Sequence, residues 1–235
     1  MAPPHQFRSI TAGVERLERN ANRPRHRHWE GYATIVLTGS ATEASFSGRA
    51  YAVPGDVLLH GRFDCHMDID HGKGTLQILR LPWLDDAVEG HFRIRDPDAL
   101  VRIAERDPFE AMRYLSLNLQ SSGCSDGHWT EELARALSHD SAISLQEWAE
   151  CRGIRPDVVS HAFRRDFGVS PKLFRLESRA RRAWRQVIHS NDALTRIALD
   201  TGFSDLAHMS NSIKAFTGLS PTRWRSLAGR LQRTV

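Results

Sequence analysis

The sequence lacks long apolar runs, cysteine motifs and an export signal, and each absence excludes a class of protein. Its most apolar stretch, Ala33–Leu37 with its neighbours, is far shorter than the roughly 20 residues of a membrane span. The cysteines Cys65, Cys124 and Cys151 are odd in number, widely spaced and form no CxxC pair, which is typical of the reducing cytoplasm. The N-terminus, MAPPHQFRSI, lacks the charged-then-apolar pattern of a signal peptide. We therefore expect a cytoplasmic protein without a membrane partner.

The charge is distributed unevenly along a chain of otherwise ordinary composition. A hydrophobic content of 40% and a charged content of 26% are typical of a soluble globular protein, and 235 residues suffice for one large domain or two small ones. Residues 129–235 hold 17 Lys and Arg against 11 Asp and Glu, whereas residues 1–128 hold 15 against 17. A basic excess confined to one segment is typical of a module that binds a polyanion. Solvated helix faces give the same balance, so charge alone leaves both interpretations open.

The pattern of apolar residues changes from strand-like to helical along the chain. In residues 24–81 the stretches YATIVLTG, ATEASFSG, RAYAVPGDVLL and GTLQILRL are separated by turn residues, which is typical of an antiparallel sandwich or barrel. From Asp96 onward the apolar residues recur at helical spacing. A small, polar, glycine-bearing segment at 121–127 indicates a domain boundary. Helices are predicted beyond it at about 129–139, 145–152, 156–167, 171–188, 193–201, 205–216 and 221–230.

The C-terminal part contains one pattern twice, at a period of about 50 residues, in residues 144–172 and 193–222. In each copy a small alanine lets a second helix approach closely, and a glycine four residues later ends the first helix. Both copies close with the same G-[VL]-S-P sequence, which an ordinary helical hairpin does not explain. The matched residues are Leu145 with Leu194, Ala149 with Ala198, Gly153 with Gly202, Val159 with Met209, and Phe163 with Ile213.

The second helix of each copy has one apolar and one polar face. At helical spacing, Val159, Ala162, Phe163 and Phe167 lie on the core side of the first copy, and Met209, Ser212, Ile213 and Phe216 lie on that of the second. The opposite faces are polar and are predicted to meet solvent or a partner. They carry Asp157, Ser160, His161 and Arg164 in the first copy and His208, Asn211 and Lys214 in the second.

The segment 129–228 resembles the AraC/XylS family of bacterial transcription regulators throughout its length. The resemblance is carried by the A-x3-G turn in both copies, by SHAFRRDFGVSP in the first and by IALDTGF-SD…FTGLSP-TRWR in the second. It implies two helix-turn-helix units whose recognition helices, 156–167 and 205–216, are joined by a long helix at 171–188. It also implies double-stranded DNA and RNA polymerase as partners. Asn211 departs from the family, which commonly has a basic residue there, and this departure bears on base preference.

Residue type then predicts which side chains contact DNA. Basic residues supply affinity and position through phosphate contacts, whereas the early outward residues of a recognition helix contact bases. Asn suits adenine, and Leu or Ala suits the methyl group of thymine. The base-contacting candidates are Pro156, Asp157, Ser160, His161, Leu206, Ala207, His208 and Asn211. The phosphate-contacting candidates are Arg164, Arg165, Lys172, Arg175, Arg179 and Lys214.

Two sets of charged residues keep open interpretations. Asp157 repels phosphate, so it either accepts a hydrogen bond from an amino group such as that of cytosine or caps its helix. Arg181, Arg182 and Arg185 either contact DNA or lie on a solvated face of the long helix.

Residues 24–81 resemble the cupin-type sensory domain that often precedes such a DNA-binding unit. The resemblance rests on His26-x-His28, on Gly39, and on the turn Val53-Pro-Gly-Asp-Val57 followed by His66. In metal-binding cupins, two such strand histidines, a carboxylate and a later histidine converge inside the barrel. Alternate residues of a strand face the same side, so His26 and His28 suit a shared ion. Tyr32 stands where the carboxylate of the pattern belongs. A divalent metal, a small organic effector and no ligand all remain open for the site formed by His26, His28, Tyr32 and His66.

Together these patterns predict an α+β chain of three segments: an antiparallel β-barrel of the cupin type at 1–95, a helical linker or dimerisation segment at 96–128, and an all-α DNA-binding domain at 129–235. The middle segment packs either across a homodimer or within its own domain, through Leu100, Ile103, Met112, Leu115 and Leu119. The predicted function is a sequence-specific transcription regulator, an activator by family habit. The alternatives are a metal-dependent cupin enzyme with a DNA-binding appendage and an architectural DNA binder. No acid–base pair is identifiable, so no enzymatic activity is predicted.

Overall fold

The computed structural model describes residues 11–17, 22–70, 75–122, 128–139 and 143–231. Most of the described strands precede the helices along the chain, so the predicted mixed α+β class is confirmed. The chain divides into two compact units, the first formed by residues 1–132 with 166–168 and the second by residues 133–165 with 169–235. The predicted boundary at 121–127 falls largely on residues 123–127, which lie outside the described residues.

The first unit contains two antiparallel sheets. One has the strand order β1-β8-β3-β6-β9-β10 and the other β2-β7-β4-β5. The strands are β1 (Gly13–Leu17), β2 (Arg23–Arg27), β3 (Tyr32–Thr38), β4 (Ala41–Ser45), β5 (Gly48–Ala52), β6 (Asp56–His60), β7 (Cys65–Asp70), β8 (Leu76–Pro82), β9 (Gly90–Arg93) and β10 (Gln120–Ser121). Pairing among the described strands leaves two separate sheets, and no closed barrel is detected between them.

The turn between β5 and β6 is fixed by its own residues. Gly55 has a φ of +89°, which side chains other than that of glycine rarely allow. The Asp56 carboxylate accepts a hydrogen bond from the Val53 amide at 2.9 Å and so closes the turn. β6 therefore starts at Asp56, and all five of its residues are buried.

Two helices cover the apolar face of the larger sheet. They are α1 (Pro97–Ala104) and α2 (Pro108–Asn118), and each begins beside an aspartate, Asp96 or Asp107, whose carboxylate accepts hydrogen bonds from first-turn amides. Their buried residues share one core cluster with Ile35, Leu59 and Leu81 of the sheet, namely Leu100, Ala111 and Leu115. Of the two arrangements open for this segment, packing within the unit is the one observed.

The second unit is helical and is organised around one long helix. Its elements are most of α3 (Trp129–His139), then α4 (Leu145–Glu150), α5 (Pro156–Phe167), α6 (Pro171–His189), α7 (Leu194–Asp200), α8 (Leu206–Thr217) and α9 (Pro221–Leu231). These bounds confirm the predicted helices to within about two residues. α6 packs against α7, α8 and α9. Its Trp184 is fully buried and meets the Trp224 ring edge-to-face at 5.7 Å. Among the described residues, none of the helices has the length and apolar character needed to cross a membrane.

Candidate nucleic-acid interface and buried histidine cluster

The two repeated copies fold with the same turn. In the first copy Gly153 has a φ of +62°, and the Ile154 amide donates to the Ala149 carbonyl at 3.0 Å. In the second copy Gly202 has a φ of +79°, and the residue that follows it donates to the matched alanine carbonyl of the first helix at 2.8 Å. This bond spanning five residues is the closing bond of a glycine-terminated helix. The predicted role of both glycines is confirmed.

The second helix of each copy, α5 or α8, buries the face that its spacing predicts. Val159, Phe163 and Phe167 are at most 1% exposed in α5, and Met209 and Ile213 are fully buried in α8. The residues predicted to contact bases lie on the opposite faces. All of them are exposed except Leu206, which is half-buried: Pro156, Asp157, Ser160, His161, Ala207, His208 and Asn211.

The aspartates at the starts of the two helices have different hydrogen-bond partners. In the second copy the Asp205 carboxylate caps α8 by accepting from the His208 amide at 2.7 Å. The helix therefore begins one residue later than predicted, at Leu206. In the first copy the Asp157 carboxylate accepts two hydrogen bonds from the Arg155 guanidinium instead. Sequence reasoning missed Arg155 because it precedes the predicted helix.

The basic residues predicted to contact phosphate fall into two groups. Arg164, Arg165, Lys172 and Lys214 are exposed. The other two candidates lie on the long helix and contact the protein itself. Arg175 donates to the Ile143 carbonyl at 2.5 Å, and the guanidinium of Arg179 lies 5.4 Å from the centre of the Phe203 ring.

Arg181 and Arg182 of the long helix fit neither predicted interpretation, a DNA contact or a solvated face. Arg181 is only 4% exposed, so it neither lies on a solvated face nor is available to DNA. Arg182 donates to the His139 carbonyl at 2.8 Å, which ties the end of α3 to α6. Both arginines therefore serve packing within the helical unit.

The first unit brings together the four residues singled out by the cupin pattern. His26 on β2 lies opposite His66 on β7, and their ring centroids are 4.3 Å apart. His28 stacks on His66 at 5.4 Å, and ligand nitrogens of the three histidines lie within 4.8 Å of one another. The Tyr32 hydroxyl lies 3.0 Å from Nε2 of His66. The spacing of His26 and His28 and the pairing of β2 with β7 thus produce a three-histidine cluster in which His28 and His66 are buried and His26 is half-buried.

Two histidines of this cluster, His26 and His66, have pKa values shifted towards the form that binds metals. Burial lowers the pKa of His66 well below its usual value, and it lowers that of His26 in the same direction. Neutral imidazoles are the metal-ligating form. In the tautomer whose Nε2 donates to the Tyr32 oxygen, Nδ1 of His66 is a buried acceptor with no hydrogen-bond partner among the described residues. The donor set of the cluster therefore fits a divalent metal.

A second buried group, His60 with two carboxylates, was missed by sequence reasoning. Nδ1 of His60 lies 2.9 Å from an Asp64 oxygen, and its Nε2 lies 3.2 Å from a Glu43 oxygen. Burial lowers the pKa of His60, but the two carboxylates outweigh this effect and raise the pKa to about 10. Burial raises the pKa of Glu43 to about 7. The sequence signal that could have revealed this group was an ionisable residue inside a mostly buried strand. These residues are Glu43 in ATEAS and His60 in DVLLH.

A cavity of about 50 Å³ opens beside these residues in the first unit. Its polar lining includes Tyr32, Glu43, His66 and Asp68, and the rest is mainly aliphatic. Sites for drug-sized organic molecules occupy roughly 300–1,000 Å³. The cavity is therefore large enough for an ion and a few waters but not for such a molecule.

Comparisons with known proteins match the helical part of the chain most directly. A family model described as a helix-turn-helix domain matches residues 148–226. This range contains both turns and both of the helices that expose the candidate DNA-contacting residues. No curated protein is significantly similar to the chain in sequence.

Several solved structures are also similar. A transcriptional regulator with an AraC-type DNA-binding domain from Chromobacterium violaceum is 23% identical, with 37% of this chain and 77% of that one covered, at a TM-score of 0.34. ToxT from Vibrio cholerae, bound to an unsaturated fatty acid, is 10% identical over 92% and 94% of the two chains, at a TM-score of 0.39. The C-terminal domain of AraT, a response regulator from Geobacillus stearothermophilus, is 19% identical over 43% and 86%, at 0.40.

Proposed function

We propose that the helix-turn-helix segment at 148–226 is that of a DNA-binding transcription regulator of the AraC family, and that it recognises a specific operator with α5 and α8. The observation that carries this proposal is the repetition of one unit twice, with the same glycine turn and an exposed polar face on each second helix. Recognition helices of this kind enter the major groove with their N-terminal residues towards the bases. Two such helices suit groove segments about one helical turn, roughly 34 Å, apart.

Exposed basic residues and outward polar residues are expected to affect binding in different ways. Replacing Arg164 and Lys214 together with alanine removes two phosphate contacts, so affinity should fall for every DNA sequence. The slope of log affinity against log salt should also become shallower by about 2. Replacing His161 or Asn211 with alanine should instead change which sequence is preferred, because base contacts carry that information. Fluorescence anisotropy with a panel of duplexes at several salt concentrations measures both effects.

Asn211→Ala is the critical variant of this set. The double phosphate variant serves as its control, because it must weaken all duplexes alike. An equal loss of affinity on every duplex with Asn211→Ala would show that this face of α8 does not contact bases.

The proposal extends to the regulatory output of the chain. Regulators of this family commonly activate transcription through contact with RNA polymerase, and a regulator of this kind acts in the cytoplasm with the DNA.

A homodimer is supported by the outer face of α2, where Phe109 is 58% and Leu117 is 84% exposed. The two apolar residues lie eight positions apart in the helix, and so fall on one side of it.

We also propose that the two-sheet unit is a cupin-type sensory domain that binds a divalent metal through His26, His28 and His66. Three neutral histidines are a known ligand set for zinc, and the fourth position would stay open because Tyr32 replaces the carboxylate of the pattern. The Tyr32 hydroxyl orients His66 from outside the ligand set. At the histidine cluster itself, the small cavity beside His66 suits an ion better than an organic effector. A bound ion would link β2 to β7.

One zinc ion per chain is the expected result of metal analysis after equilibrium dialysis at neutral pH. The ion should stabilise the folded chain by about 2.7 kcal/mol when free zinc is 100 times the dissociation constant. His28→Ala and His66→Ala should lose both the ion and the stabilisation. His161→Ala, an exposed histidine of α5, is the matched control and should retain both. Wild-type chain without bound metal under these conditions would contradict the metal proposal and leave an organic effector or none.

A further inference from the structure

The first turn of α5 carries an arginine held in a defined orientation. Nε of Arg155 donates to one oxygen of Asp157 at 3.1 Å, and Nη2 donates to the other at 2.8 Å. The two side chains are 80% and 63% exposed. The pair therefore lies in solvent at the start of the helix rather than in the core.

This arrangement leaves the outer edge of the guanidinium available. An arginine has five N–H donors, and the contact through Nε and Nη2 uses two of them. The remaining donors on Nη1 and Nη2 form a planar fork. That fork matches the O6 and N7 acceptors that guanine presents in the major groove. The aspartate also reduces the rotamer freedom that the arginine would lose on binding.

The pair lies beside the exposed face of α5 that carries the proposed base-contacting residues. Asp157 lies on the exposed face that α5 shares with Ser160 and His161, so its carboxylate holds the arginine beside that face. The second copy has no such pair, because the residue directly before α8, where Arg155 precedes α5, is Asp205, which caps the helix. An exposed ion pair adds little to the free energy of folding, so a contribution to stability does not explain this pair.

We infer that Arg155, held by Asp157, contacts a guanine and so sets part of the sequence specificity of the first recognition helix. This inference rests on the proposed function, because it requires that α5 enters the major groove. It reassigns Asp157 from a direct base contact to a positioning residue. The first half of the operator should accordingly contain a guanine that the second half lacks.

The experiment selects preferred duplexes from a random library with the wild-type chain and repeats the selection with variants. Arg155→Ala should lose a strict guanine at one position and bind the wild-type operator about 5- to 150-fold more weakly, the loss expected for one bidentate base contact. Arg155→Lys lacks the planar fork that Asp157 holds in place, so it should discriminate in favour of guanine less strongly than the wild type. Asp157→Ala should keep guanine as the preferred base but discriminate less strongly against the others. An operator with 7-deazaguanine at that position should bind the wild type more weakly and Arg155→Ala no more weakly than before.

Arg196→Ala is the matched control, because Arg196 forms an exposed pair with Asp200 at 2.8 Å on α7, outside the recognition helices. It should leave the preference at every position unchanged. Wild-type chain that selects an operator, combined with an unchanged preference in Arg155→Ala, would overturn the inference and leave the proposed function intact. A wild-type chain that selects no sequence at all would overturn the proposed function itself.

Discussion

Replacing His60 with alanine is expected to lower the free energy of unfolding of the first unit by about 3–5 kcal/mol. His60 is 2% exposed and lies between the carboxylates of Glu43 and Asp64, both of them buried. Its imidazolium carries the charge that compensates them. Without it, the two buried carboxylates lose the cation that lies between them, and removing one partner of a buried ion pair is costly. Native-state hydrogen exchange of the β6 and β8 amides measures the loss in the unit concerned.

A rescue variant distinguishes this electrostatic cause from simple loss of volume. Adding Glu43→Gln and Asp64→Asn to His60→Ala removes the uncompensated charges and should recover a large part of the lost stability. Arg62→Ala is the control for an ion pair near the surface, because Arg62 is 38% exposed beside Asp86. It should cost no more than about 1 kcal/mol. A loss of less than about 1 kcal/mol in His60→Ala would mean that the histidine does not compensate the two carboxylates.

Replacing Phe163 with alanine is expected to destabilise the helical unit by about 3–5 kcal/mol, the usual cost of truncating a buried phenylalanine. Phe163 is fully buried in α5 and meets the Phe174 ring edge-to-face at 5.2 Å. Truncation leaves a cavity between α5 and α6. Operator affinity should fall with stability, because α5 then loses the contact that fixes its orientation. Urea unfolding followed by helical circular dichroism of the full chain measures the effect.

Val158→Ala provides the matched control on the same helix. Val158 is 45% exposed, so its truncation creates no cavity. Its effect on stability should stay within about 0.5 kcal/mol. Equal effects of Phe163→Ala and Val158→Ala would contradict the assignment of the buried face of α5.

The helical half was predictable from sequence because its signals are local and appear twice. Gly153 and Gly202 mark the turns, and the apolar spacing around Phe163 and Ile213 assigns the buried faces. A prediction based on two copies does not depend on any single residue. The helix bounds confirm it, although the capping role of Asp205 moves the start of α8 by one residue.

The polar interior of the first unit was only partly predictable, because strand pairing is not local. His26-x-His28 is visible in the sequence, but its partner His66 enters through the pairing of β2 with β7. Strand β7 was not predicted as a strand, although its sequence CHMDID alternates apolar with polar residues as a half-buried strand does. The carboxylates around His60 come from elements 17 residues before and 4 residues after it, and only the fold places them together.

A hydroxyl-radical footprint on duplexes selected by the wild-type chain tests the central claim most directly. Two protected segments are expected on one face of the DNA, about one helical turn apart, with base preferences confined to those segments. The two segments should differ in sequence, since α5 and α8 carry different outward residues. Uniform protection along every duplex, independent of sequence, would contradict a specific regulator and favour an architectural DNA binder.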